Sequence, residues 1–82
     1  MRNFRLTVDL SNFYVELKKF TLREYSIPFA LIFVEAADPD EACYLILAKL
    51  CKLLIDQDPS IETRLLCRRI KRELRIEKIT GL

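Results

Sequence analysis

Six of the twelve residues at positions 64–75 are Arg or Lys. On a helix, Arg64, Arg68, Lys71 and Arg75 fall on one narrow stripe, because their spacings are four, three and four. Cations stacked in this way can neutralise successive phosphates or match an acidic protein surface; Arg69 and Arg72 belong to the same cluster and Lys78 extends it. The candidate partner-binding residues are therefore Arg64, Arg68, Arg69, Lys71, Arg72 and Arg75. The same residues also suit an ordinary solvated face, with Glu62, Glu73 and Glu77 screening neighbouring cations and aliphatic stems covering apolar surface.

Other chemistry finds little support. The chain has no histidine, which removes histidine bases and nucleophilic triads, and its single glycine cannot build a phosphate-cradling loop. Enzyme readings would rest on Asp38, Asp40 and Glu41, whose place at a helix start is already explained by capping and dipole effects. The three cysteines, Cys43, Cys51 and Cys67, are eight and sixteen residues apart, outside paired zinc-ligand spacing. They read as small buried hydrophobes in a reducing cytoplasm. The expectation is a non-enzymatic chain with no metal, cofactor or small-molecule substrate.

Length and composition set the scale on which these residues can be positioned. The 82 residues make one α+β domain, residues 1–82, with 51% hydrophobic and 32% charged side chains. One core of this size contributes roughly 3–5 kcal/mol, so pairing with a partner or another copy is a natural source of stability. Net charge is +2, but residues 1–42 carry five basic and seven acidic side chains against nine and five in residues 43–82. Such a dipole steers a polyanion or an acidic protein toward the second half, while the small total falls short of a dedicated nucleic-acid binder. The start of the chain shows no leader pattern, and the greasiest stretch, residues 42–55, holds Lys49 and Lys52 and is too short to span a bilayer. No membrane association is expected.

The elements follow from periodicity. Phe4, Leu6, Val8 and Leu10 alternate with polar residues as in a half-buried strand, and after Ser11-Asn12 the positions Phe13, Val15 and Leu17 resume alternation, which predicts a β-hairpin. At Phe20 and Leu22 the phase slips, marking a bulge or the end of pairing. Pro28 opens a continuous apolar run, residues 29–34, predicted to be a central strand buried on both faces, and Phe4, Phe13, Phe29 and Phe33 are expected in the core. Asp38-Pro39-Asp40-Glu41 then starts a helix to about Asp56 that is apolar nearly all round and must bury more than one face. Asp58-Pro59-Ser60 starts a second, amphipathic helix with Leu66, Cys67, Ile70 and Leu74 on its apolar stripe. From Leu74 the period changes toward two, consistent with a short closing strand to about Ile79 or with a helix continued through Lys78, and Gly81 is expected at a frayed end. The sum is an α+β fold with a mainly antiparallel sheet of three to four strands covered on one face by two helices.

The segments Ala30-Leu-Ile-Phe-Val-Glu-Ala-Ala-Asp-Pro-Asp-Glu-Ala42 and Ser60-Ile-Glu-Thr-Arg-Leu-Leu-Cys-Arg-Arg-Ile-Lys-Arg72 resemble the small α+β proteins encoded by tailed phages, particularly those of cyanobacteria. The resemblance covers about half the chain and carries no functional residues across. It implies an accessory protein made in the cytoplasm of an infected host and acting by binding a host or phage component. The functional expectation is a small interaction protein that binds a protein partner or itself through the second helix and adjoining apolar surface. The alternative is an RNA- or DNA-binding regulator using the basic helix at 64–75. The basic helix has no aromatic residue, so base stacking would fall to Tyr14, Phe20 or Tyr25.

Overall fold

A computed structural model describes residues 1–23 and 25–82. The alternation from Phe4 forms β1 (Arg2–Asp9), which ends where Asp9 Oδ1 accepts from the Ser11 N–H at 2.9 Å and from the Ser11 hydroxyl at 2.6 Å. This local capture turns the chain at once. Ser11–Phe13 form one 3-10 turn and Tyr14–Leu17 a single turn of helix, α1. The expected hairpin is therefore absent. Phe13 and Leu17 are buried four residues apart while Val15 points outward, which is the spacing of a helical turn and not of a strand. Phe20 and Leu22 lie half-buried against the core in irregular chain, so the phase slip marks the end of regular structure.

β2 (Phe29–Ala36) runs antiparallel to β1, with Arg2 opposite Ala36 and Asp9 opposite Phe29. The chain then enters α2 (Pro39–Gln57). Its cap is as expected: Asp38 accepts from the Glu41 N–H at 2.8 Å, Pro39 occupies the first turn, and Asp40 and Glu41 sit at the positive end of the dipole. Asp58 and Ser60 shape the next start. The Ser60 hydroxyl accepts from the Thr63 N–H at 3.2 Å, and the buried Thr63 hydroxyl donates to Asp58 at 2.9 Å, opening α3 (Ile61–Glu73). α3 stops at Leu74, and β3 (Arg75–Gly81) returns along the other edge of β1.

The sheet is three-stranded and antiparallel in the order β2-β1-β3. An α+β fold with its helices on one face is thus present, but the central strand is β1. β2, expected to be central and buried on both faces, is an edge strand because β3 returns to the far side of β1, and one of its faces is bare because both helices pack on the other. Gly81 lies opposite Phe4 inside β3 and is not a frayed end.

One face of the sheet carries the core. Phe4, Leu6 and Val8 of β1 and Ala30, Ile32 and Ala36 of β2 meet Ile46, Leu50 and Leu54 of α2 and Leu66 and Ile70 of α3, all buried. α2 packs on both β2 and α3, which accounts for its apolar circumference. Of its large apolar residues Tyr44 alone is exposed; Leu45, Leu47, Leu53 and Ile55 are half-buried against the core.

Candidate functional site

The six basic residues at 64–75 separate into three groups. Arg64, Arg68, Lys71 and Arg72 are exposed on α3, and among the described residues no carboxylate pairs with Arg64, Arg68 or Lys71. Arg69 is engaged elsewhere: Nη1 donates to Glu16 Oε2 at 2.8 Å and the guanidinium lies 5.2 Å from the centre of the Phe13 ring. It ties α3 to α1. The hydrogen bond from Arg69 holds the Glu16 carboxyl below its ordinary range. Arg75 lies beyond the end of α3, in β3 opposite Asp9. The stripe of four is therefore a patch of three on the helix, Arg64, Arg68 and Lys71, joined by Arg72.

The cysteines are packed, not poised. Cys51 on α2 and Cys67 on α3 are buried where the helices cross, and each thiol donates to the other's backbone carbonyl, at 3.8 Å and 3.7 Å. Burial, with the neighbouring Cys67, pushes the Cys51 thiol up to about 12. A thiol so raised stays protonated and is a poor nucleophile or metal ligand. Among the described residues no three Cys, Asp or Glu side chains converge on a metal-sized site. No helix of the described residues is long and apolar enough to cross a membrane.

The surplus apolar surface lies on β2. Ala30, Ile32 and Ala36 point into the core, so the intervening residues face away from the helices. Phe29, Leu31 and Phe33 are 55%, 53% and 61% exposed and form one row on the uncovered side of the edge strand. Beside them stand Asp9, Thr7 and Arg5 of β1, and beyond those Arg75, Lys78 and Thr80 of β3. Arg5, Arg75 and Lys78 are balanced on this face by Asp9, Glu35 and Glu77, so the face carries no excess charge to recruit a polyanion. Its distinctive feature is the apolar row.

Phe29 and Phe33 were expected in the core, and residues 29–34 gave no hint of which parity would face out, because both parities are apolar. A signal was nevertheless present. Two helices on one side of a small sheet cannot cover the other face of a strand that is apolar on both, so one apolar row had to remain exposed.

A smaller apolar patch borders α3, where the exposed Val15 and Leu65 flank a groove of about 380 Å³ lined also by Glu16, Glu62, Leu66 and Arg69. Comparison of the chain with protein families, characterised proteins and solved structures returns no match.

Proposed function

We propose that the chain is a non-enzymatic interaction domain whose main docking surface for protein is the outward row Phe29, Leu31 and Phe33 on β2. The observation that carries this reading is the exposure of three consecutive outward-facing large apolar residues on an edge strand, while the rest of that sheet face is polar and balanced in charge. Contiguous apolar surface of this kind is costly to leave in water and marks contact sites. The α3 groove at Val15 and Leu65 offers a secondary contact. The resemblance to small phage accessory proteins supplies a setting, a host or phage protein as partner in the host cytoplasm, and adds no residue to the site.

A double substitution, Phe29→Ser with Phe33→Ser, tests the reading. Both side chains point away from the core, so far-UV circular dichroism should be unchanged. Cross-linking in lysate should then lose the bound protein that the wild type retains. Retention by the double variant would contradict the reading.

A second reading is favoured by the unpaired cations of α3, namely a nucleic-acid contact at Arg64, Arg68 and Lys71 with Arg72. Its test is affinity for labelled DNA and RNA that falls steeply with salt and is lost on charge reversal.

A further inference from the structure

We propose that β2 pairs with β2 of a second copy of this chain, antiparallel and centred on Leu31, joining two three-stranded sheets into one. This deepens the docking reading above and rests on it.

The hydrogen-bond parity of β2 supports the pairing. The ladder to β1 continues past the strand end, where the Leu10 N–H donates to the Pro28 carbonyl at 2.6 Å. In an antiparallel ladder hydrogen-bonded and non-bonded pairs alternate, so Ala30, Ile32 and Val34 direct their backbone groups at β1. Phe29, Leu31, Phe33 and Glu35 direct theirs at the free edge. The first three of these carry the apolar side chains that crowd the open face, so one short segment presents both unpaired backbone and surplus apolar surface.

The two edges of the sheet differ in their protection. β3 carries Arg75, Glu77 and Lys78 and a register shift opposite Thr7 and Val8, devices that discourage edge-to-edge pairing. β2 has eight residues with no proline, no bulge and one charge, Glu35, near its end. An edge left unguarded beside a guarded one is fitted for pairing.

The sequence of β2 is self-complementary about Leu31. With that residue on a twofold axis, Leu31 meets its own copy, and Phe29 lies opposite the partner's Phe33 on the open face. Beneath the sheet, Ala30 lies opposite the partner's Ile32, small against large. All three outward pairs have the parity for mutual N–H···O bonds, about six across the junction. Glu35 falls outside the paired core and meets no like charge. Along each cross-strand row, Arg5 flanks Phe33 on one side and the partner's Asp9 flanks the apposed Phe29 on the other, so each row ends in opposite charges and no like charges meet.

A groove of about 380 Å³ between the β2 edge and α2, lined by Ile32, Val34, Leu45, Ala48 and Lys52 among others, lies where the partner's small Ala30 would enter. Pairing at the edge sets each Phe29 flank to flank with the partner's Phe33, so four exposed phenyl rings cover part of one another's apolar surface.

Sedimentation equilibrium tests the pairing. The wild type should sediment at twice the 9.7 kDa chain mass, and Leu31→Lys, which sets two like charges on the axis, should shift it to 9.7 kDa with circular dichroism unchanged. As a readout that survives poor behaviour of that variant, Leu31→Cys in a Cys43→Ser background should oxidise to a covalent dimer, whereas Val15→Cys should not. A wild type that is monomeric at high concentration, or a dimer that survives Leu31→Lys, would overturn the pairing. A monomer that still loses a cross-linked partner on Phe29→Ser with Phe33→Ser refutes self-pairing and leaves the docking reading standing; a monomer whose capture ignores those changes refutes both. Protection of β2 by a single-stranded oligonucleotide in place of a second copy also refutes it.

Discussion

Arg69 of α3 and Glu16 of α1 are joined by a 2.8 Å hydrogen-bonded ion pair, with the same guanidinium resting on the Phe13 ring. This contact turns one member of the basic cluster into a brace between the single helical turn α1, in the β1–β2 connection, and the last helix. It also sets an acid response. The hydrogen bond from Arg69 lowers the Glu16 pKa below its ordinary 4.5, so its contribution is fully present above that value and is lost as pH falls through the folded pKa. Glu16→Gln should cost at most about 1 kcal/mol at neutral pH, because both side chains are partly exposed. Urea titrations at pH 7 and below pH 4 should show the variant and wild type converging in acid.

Helix capping should be a larger and more uniform lever. Asp38→Ala removes the acceptor of the Glu41 N–H, and Ser60→Ala that of the Thr63 N–H. Each should cost about 1 kcal/mol by equilibrium denaturation. A smaller penalty at Asp38 would mean that Pro39 and the first-turn acids already hold the start of α2.

Thiol reactivity should follow burial. Cys43 is half-buried, whereas Cys51 and Cys67 are enclosed between α2 and α3. Burial raises the Cys43 thiol as well, so labelling at pH 8 should be slow throughout, with Cys43 first. Cys51 and Cys67 should react only on unfolding, as peptide mapping after timed alkylation would reveal.

Much of this architecture is legible in the sequence where the signal is local. Asp38-Pro39-Asp40-Glu41 specifies a helix start by chemistry contained in four residues, and the alternation from Phe4 specifies which face of β1 enters the core. Phe13, Val15 and Leu17 were ambiguous, since positions spaced by two include positions spaced by four; the Asp9 contacts with Ser11 resolve them as a turn and helix. The rank of β2 in the sheet was not local information. It depends on β3 pairing with β1 across more than sixty residues, Asp9 with Arg75, which no window of neighbouring residues reports. The same distant pairing decides that Arg75 leaves the basic stripe, while the docking of both helices on the Ala30, Ile32 and Ala36 face leaves Phe29 and Phe33 facing water. The candidate site therefore moved while the α+β class held.

Charge reversal on α3 separates the two functional readings. Arg68→Glu, Lys71→Glu and Arg72→Glu together alter only exposed side chains, so the fold should persist. Affinity for labelled single- or double-stranded DNA and RNA at low salt, if carried by this patch, should disappear, while association through β2 should be unaffected. Loss of both would place the interaction surface on α3.

The most direct test of β2 as the interaction surface is residue-resolved amide hydrogen exchange, followed as protein concentration is raised and as captured partner is added. In dilute protein the outward amides of Phe29, Leu31 and Phe33 should exchange fast while Ile32 and Val34, bonded to β1, stay protected. Association should slow Leu31 and Phe33 toward the rate of Ile32. Association that leaves those outward amides fast, and instead protects α3, would contradict the assignment of the docking surface to β2.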